Sequence, residues 1–485
     1  MVSKPLIAAA SLALLVSAGC SPAATGLGGS PATGGGLSTP ADRMHGLLPQ
    51  TKRGTGPSGY ISHVIVIIQE NRSFENFFAG YPNANAPMFG CVDPTVHQKH
   101  LQAPPKRFRS GSGSGCPTTD ITVPLTETTF AKNADIAHDW NSSMTEWNKG
   151  HMDGFGAYGL KHGQYTAYEY MNHAQIQPYW DMANQYVLSD AMFPTEFGGS
   201  FTGHLTLVAG TDDLNPGRAE VDFPNGLYDD CDSPPGTKSS YVDTNRKVHR
   251  FTGPFPCFTQ WNTIANPLDI AGVPWKYYAS KQLDAGFWEP FEAMSYVRYG
   301  PDWNNIIAPQ TRFLTDAANG NLASVNWVSP SHDDSDHPSY HQDTGPSWVA
   351  SVVNAVGESS YWNTSAIIVL WDDWGGFFDN APPPYADFRG LGIRVPCLII
   401  SPYAKQGYVS HTQLEFASVL KFIEETYGLG SIGPGSQGYS DQRANDLNDA
   451  FDFTQSPRQF VPIGSKYPKE HFLHEPPSNE PVDTE

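Results

Sequence analysis

The chain has 485 residues, 39% hydrophobic and 12% aromatic, enough for a large core in one α/β domain or two smaller ones. Lys and Arg total 29 against 49 Asp and Glu, a net charge of −20. That balance argues against binding a nucleic-acid backbone and gives no polybasic signal for an anionic membrane surface.

The N-terminus reads as an export signal. Lys4 precedes an apolar run from Leu6 to Val16, too short for a stop-transfer helix, and Ser17-Ala18-Gly19-Cys20 follows. Small residues before a cysteine are similar to a bacterial lipobox. A lipid on Cys20 would attach the protein to a membrane, in the periplasm or at the cell surface. Plain cleavage near Ala18, giving a periplasmic or secreted protein, is the alternative. Residues 21–58, rich in Gly, Ser, Thr, Ala and Pro, read as a flexible tether, and the folded domain is expected over 59–462.

Val64 to Ile68 is an unbroken β-branched apolar run, the pattern of a strand buried on both faces of a parallel sheet. Glu70 and Asn71 follow it at once. In open α/β sheets the ligand site lies beyond the carboxyl ends of the strands, so this pair reads either as metal or substrate ligands or as caps of the next helix. Residues 82–135 read as surface loops. His138-Asp139-Trp140 falls in a helical-looking segment, and another helix around Ile176 to Gln185 feeds a short strand, Tyr186-Val187-Leu188.

Glycines 198 and 199 then allow a bend before an apolar run suited to a buried helix. Ser200 sits at its N-terminus, where backbone N–H groups face an anion. Residues 211–262 look loop-rich. Trp275 to Tyr278, Val325 to Val328 and Val395 to Ile400 are further strands, with a helix over Ser347 to Val356. Ala366 to Trp371 is a second buried strand, ending in Asp372-Asp373. The two strands thus each deliver adjacent oxygen ligands at the same end, a set suited to a hard or borderline divalent cation. Gln413 to Tyr427 carries one apolar face at helical spacing. Residues 463–485 read as an irregular tail. Strands alternating with helices give an α/β class with a mostly parallel central sheet, flanking helices and long loops.

An exported chain meets an oxidising compartment, so Cys91–Cys116 and Cys231–Cys257 are the natural local pairs, with Cys397 a buried free thiol. His332, His337 and His341 share one loop with Asp333, Asp334, Asp336 and Asp343, read as a solvated acidic segment apart from His337. Asp379 reads as a helix cap or a carboxylate behind the ligands, and His411 as structural.

Five motifs follow one another in order. They are Glu-Asn-Arg-Ser-Phe at Glu70, Gly-Gly-Ser-Phe-Thr-Gly-His ending at His204, Asp336-His337-Pro338, Trp371-Asp372-Asp373-Trp-Gly-Gly-Phe-Phe-Asp, and Gly392 to Pro402. Together, over about residues 60–430, the chain resembles the bacterial phosphoesterase family of non-haemolytic phospholipases C and respiratory-burst-inhibiting acid phosphatases. The resemblance implies an alkaline-phosphatase-like core and one divalent cation held by Glu70, Asn71, Asp372, Asp373 and the nucleophile Ser200. It implies that His138 and His337 contact the phosphoryl group, and that a further histidine, without an assigned position, lies between Ser200 and His337. The phospholipases mostly use Thr as nucleophile and the acid phosphatases Ser. Thr202-Gly203-His204 stands where Pro-Asn-Arg or Pro-Asn-His is common, which leaves the role of His204 open. The stretch after the Gln413 helix is expected to be too short for the C-terminal β-rich domains of larger phospholipases C, so the resemblance is expected to be to the shorter acid-phosphatase branch.

The expected activity is hydrolysis of phosphate esters, a soluble ester or a phospholipid, through attack by cation-held Ser200 and a phosphoseryl intermediate. A non-catalytic lipoprotein that keeps the fold and metal as a binding module is the competing reading. A sulfatase-like relative is disfavoured, because Ser200 is not in a Cys/Ser-x-Pro-x-Arg motif.

Overall fold

The computed structural model describes residues 56–96 and 116–478, apart from 159, 162–163, 227–229 and 284–285. The export signal, most of the tether, and the tail from 479 lie outside the described residues. Of the tether only 56–58 is described, and there Pro57 is buried, its carbonyl accepting from the N–H groups of Tyr60 and Ile61. Packing against the domain therefore begins slightly before Gly59. No helix among the described residues is long and apolar enough to cross a membrane.

Nine strands build the central sheet. In chain order they are β1 (His63–Gln69), β2 (Val187–Phe193), β3 (Trp275–Tyr278), β4 (Ile306–Ile307), β5 (Val325–Val328), β6 (Ser365–Trp371), β7 (Val395–Ile400), β8 (Tyr408–Ser410) and β9 (Leu414–Glu415). Their spatial order is β4-β3-β5-β1-β6-β7-β2-β8, with β9 beside β2. Every pairing is parallel except the two made by β7, which runs against both β6 and β2. The sheet is thus mixed and mostly parallel, an α/β fold. β1 and β6, the continuous apolar runs, are central and buried on both faces, as a strand covered by helices on either side must be.

Because β7 reverses direction twice over, β2 points the same way as β1 and β6. Their carboxyl ends therefore share one edge of the sheet. In the register of β1 with β6, Gln69 lies opposite Trp371, so the two acidic pairs leave the sheet side by side.

The helices that matter for this edge are α1 (Phe74–Phe78), α2 (Trp140–Trp147), α3 (Gln177–Gln185), α4 (Ser200–Ala209), α5 (Gly345–Gly357) and α6 (Phe416–Tyr427). Ser73, not Glu70 or Asn71, caps α1: its side chain accepts from the N–H of Asn76. His138 lies outside α2 rather than within it, because Asp139 caps that helix by accepting from Ser142 N. All ten residues of α4 are buried, and Gly210 ends it in the left-handed conformation. α6 begins at Phe416, later than its apolar pattern suggested, because Leu414 and Glu415 pair with β2.

Two loop-rich readings are corrected in part. Residues 213–249 hold a four-stranded antiparallel sheet, Asp213–Asn215, Arg218–Glu220, Tyr241–Asp243 and Val248–His249. Phe89–Val92 pairs with Ile121–Pro124, and Thr126–Thr128 with Glu169–Met171. Strands of two to four residues carry too few positions for an alternating pattern to be read. The stretch after 463 also contains a short helix, Lys469–His474. Both disulfides, Cys91–Cys116 and Cys231–Cys257, are formed, and Cys397 is a buried free thiol in β7.

Candidate active site

At the carboxyl edge of the sheet, Glu70 and Asn71 follow β1, Asp372 and Asp373 follow β6, and Ser200 opens α4. Two glycines let these segments meet. A Cβ on Gly203, in the first turn of α4, would lie 2.7 Å from the carbonyl oxygen of Asp372. One on Gly375, at φ +63°, would lie 2.2 Å from that of Asn71. Asn71 itself holds a positive φ of 57°. Its N–H donates to Asp372 Oδ1 at 3.0 Å, which ties the two pairs together.

Around Ser200, the hydroxyl lies 3.2 Å from Asp373 Oδ2 and 3.3 Å from Asn71 Oδ1. Asp373 Oδ1 accepts from Gly375 N at 2.7 Å, which fixes the carboxylate plane. Asn71 Nδ2 donates to His138 Nε2 at 2.9 Å, while His138 Nδ1 lies 2.7 Å from the carbonyl oxygen of Ile136. The carbonyl calls for a proton on Nδ1, and Nε2 is then the acceptor. Ser200 is the first residue of a ten-residue helix, so the partial positive end of α4 faces the same point.

One turn along the same helix is His204. Its Nε2 lies 3.0 Å from Glu70 Oε1 and 3.9 Å from Asp372 Oδ2, and all three residues are fully buried. One ligand atom from each falls within 4.8 Å of the others. Asp372 Oδ2 has no hydrogen-bond partner among the described residues. Two carboxylates side by side in a dry site need a positive charge to offset them. One imidazole nitrogen with carboxylate oxygens is a donor set that fits a divalent cation. The expected ligands therefore divide: Glu70 and Asp372 gather with His204, and Asn71 and Asp373 gather around Ser200.

His337 arrives from the loop after β5. Its ring lies 6.3 Å from that of His138 and stacks on Tyr340 at 4.3 Å, with Nδ1 2.6 Å from the carbonyl oxygen of Pro338. This loop is a solvated acidic segment only in part: His341 is exposed and His332, Asp333 and Asp343 are half-buried. Asp334 and Asp336 are buried because the ends of β1 and β6 supply their partners. Asp336 N donates to Gln69 Oε1 at 2.8 Å, and Gln69 Nε2 to the carbonyl oxygen of Asp334 at 3.2 Å. Arg72 Nε donates to the Asp336 carbonyl at 2.8 Å, while Asp336 Oδ2 accepts from Tyr179 Oη at 2.6 Å and Trp371 Nε1 at 3.1 Å. The residues flanking both ligand pairs thus hold the His337 loop. Burial pushes the Asp336 carboxyl up to about 7.

Asp379 reaches the start of α1, where its Oδ2 accepts from Glu75 N at 3.4 Å. It receives Arg394 Nε on both oxygens, at 3.0 and 3.1 Å. His411 pairs with Asp190 at 2.9 Å.

A profile of the phosphoesterase family matches residues 61–430. The chain belongs to the phosphoesterase family. That places it among hydrolases of phosphoric ester bonds. It is 25% identical to a non-hemolytic phospholipase C of Pseudomonas aeruginosa, an alignment that takes in 86% of this chain and 59% of that protein. It is 24% identical to phospholipase C B of Mycobacterium tuberculosis, over 86% of this chain and 84% of the other. The chain thus spans about three fifths of the first relative's length and most of the second's. Among solved structures, an alkaline phosphatase superfamily protein from Vibrio parahaemolyticus overlaps 53% of this chain and 62% of its own, with a TM-score of 0.32 and 13% identity. The α/β assignment rests on the sheet itself.

In this phosphoesterase, Ser200 lies in the floor of a cleft of about 280 Å³, beside His138. Several cleft residues were not singled out from sequence: Phe201, Phe223, Phe287, Asp222 and Arg250. Arg250 Nη2 contacts Asp139 Oδ2 and lies 3.7 Å from Asp222 Oδ2. Asp222 also accepts from Trp140 N at 2.7 Å, and burial followed by the charge of Asp139 pushes its carboxyl up to about 7. Phe201 lies in the first turn of α4, and the others sit in turns and irregular stretches without periodicity. His204 did carry a signal: four residues after Ser200 on a helix, it lies on the same face.

Proposed function

We propose that this chain is an exported, cation-dependent phosphoesterase that moves the phosphoryl group of an ester first to Ser200 and then to water. One observation carries the reading: a helix-opening serine hydroxyl sits within 3.3 Å of both Asn71 and Asp373, each adjacent in sequence to a member of a buried group that fits a metal ion.

Glu70, His204 and Asp372 would hold the cation, with Asn71, Asp373 and Ser200 one contact away. When bound, a divalent cation supplies Lewis acidity toward phosphoryl oxygens and lowers the pKa of a neighbouring hydroxyl. A histidine among the ligands favours a borderline ion such as zinc or iron over calcium or magnesium.

The residues of the chain supply the remaining steps. Asp373 Oδ2 takes the Ser200 proton, and Oγ attacks phosphorus in line with the bond to the leaving oxygen. The α4 N-terminus, the Asn71 amide and His138 line the volume where the equatorial oxygens would lie. His337 has Nδ1 turned to a backbone carbonyl, so its protonated form offers an Nε2 proton to the leaving oxygen. Neutral His337 then takes a proton from water as that water attacks the phosphoseryl group. Phosphate leaves, and Asp373 returns its proton to Ser200.

The relatives named as phospholipases C support a phospholipid as one substrate class, and a soluble ester is the other that the panel distinguishes. A panel of p-nitrophenyl phosphate, p-nitrophenyl phosphorylcholine and a plain phosphodiester, with and without chelator, tests the reading. Turnover of at least one substrate, abolished by chelator and restored by a divalent cation, is the expected result. No turnover of any of them would return the chain to the binding-module reading.

A further inference from the structure

Four phenylalanine rings touch one after another, three of them in the wall of the cleft that holds Ser200 and the fourth at the surface. Phe201, next to Ser200 in α4, lies 5.6 Å from Phe287, centroid to centroid. Phe287 lies 6.0 Å from Phe223, and Phe223 lies 6.4 Å from Phe251. The first and second rings are buried, at 3% and 4% exposure, and the last is 37% exposed. The four residues come from four separate segments: the first turn of α4, a 3₁₀ turn over Gly286–Trp288, and two loops beside the small antiparallel sheet, at 223 and 251. Nothing in local folding requires them to converge.

The charges beside the file are paired with one another. Arg250 precedes Phe251 and faces Asp139 and Asp222, so the wall does not present a lone charge to an apolar guest. The cleft, at about 280 Å³, is at the small end for an organic ligand. It holds the reacting group and the first carbons of a leaving alcohol. A longer chain has to continue outward, and the file of rings is the apolar wall that leads out of the cleft.

We propose that this file is the leaving-group track, and that it takes one alkyl or acyl chain. The preferred substrate is then a phosphate ester of a single-chain amphiphile rather than a two-chain lipid. This rests on the phosphoesterase reading above and names its substrate class.

The test uses butyl, hexyl and octyl esters below their micelle-forming concentrations, carrying whichever of phosphate or phosphocholine the wild-type protein turns over. Each methylene laid on apolar surface favours binding, so kcat/KM should rise at least about tenfold from butyl to octyl. Phe251→Ser and Phe223→Ser should each cut that octyl-to-butyl ratio by about threefold or more. Phe251 is 37% exposed and lies at the surface, so its replacement leaves the core intact. A wild-type protein that hydrolyses the p-nitrophenyl esters yet shows a flat ratio overturns the track and leaves the phosphoesterase reading standing. So does a ratio unchanged in both variants. A diacyl ester of equal chain length with the same kcat/KM as the octyl ester overturns the single-chain assignment. A wild-type protein that turns over no ester overturns both readings together.

Discussion

Gln69 and Trp371 face each other across β1 and β6, and that single register places Glu70-Asn71 beside Asp372-Asp373. Asn71 and Asp372 lie 301 residues apart in the chain, yet one hydrogen bond from backbone to side chain, Asn71 N to Asp372 Oδ1 at 3.0 Å, closes the gap between the two pairs. The side chains of the same two residues continue the job. Gln69 grips the Asp334 and Asp336 backbone, and Trp371 donates to Asp336, so the loop bearing His337 is seated on the strands that bear the ligands.

His204 should matter to cation binding as much as the carboxylates. His204→Ala and Asp372→Asn are each expected to weaken affinity for the divalent cation about tenfold to a hundredfold or more. Titration calorimetry on protein stripped and reloaded with one ion checks this. Unchanged affinity in His204→Ala would remove the imidazole from the ligand set.

Chelator should also lower the unfolding temperature. Without the ion, Glu70 and Asp372 are left close together in a fully buried site, and any ligand bound only by the folded state stabilises it. A drop of several degrees, recovered on adding the ion back, is expected in differential scanning calorimetry. An unfolding temperature indifferent to chelator would contradict it.

The Cys231–Cys257 bridge closes a loop of sequence separation 26 that carries Arg250 and Phe251. Opening it with paired serine substitutions should cost about 3 kcal/mol through the larger entropy of the unfolded chain. Denaturant unfolding measures this. The same variant should lose part of its chain-length preference, since Phe251 is then less firmly placed.

Much of the fold was legible because burial writes itself into composition. Val64–Ile68 and Ile367–Leu370 are apolar without alternation, and they are central strands. The register between them was not legible, since it depends on neighbours far along the chain. Ser200 could be placed at a helix start from Gly198, Gly199 and the apolar run behind it. The cleft walls could not be read the same way. Phe223, Phe251 and Phe287 sit in turns, where no period marks them, and Asp334 and Asp336 looked solvated because their partners, Gln310, Tyr179 and Trp371, lie on distant elements.

Asp336 gives a pH dependence with a definite sign. Its folded-state pKa is raised to about 7 by burial, against about 3.9 for an unfolded aspartate, so the folded state holds the proton more tightly. The stability this contributes is full below about pH 4 and is lost as pH rises through about 7. Asp336→Asn keeps an oxygen for Tyr179 and Trp371 but does not titrate. The variant should therefore show a smaller fall in stability between pH 4 and 8 than the wild type, in denaturant titrations of the cation-free protein. Parallel pH profiles for the two would contradict the shift.

The most direct measurement of the whole account is turnover by Ser200→Ala with the cation bound. The substituted side chain is small and lies at a helix start, so the fold and the cation site should survive, as calorimetry on the same sample will show. We expect hydrolysis of the best ester to fall at least about a thousandfold while cation affinity stays within about threefold of the wild type. A Ser200→Ala protein that binds the ion and turns over substrate at the wild-type rate would contradict the account.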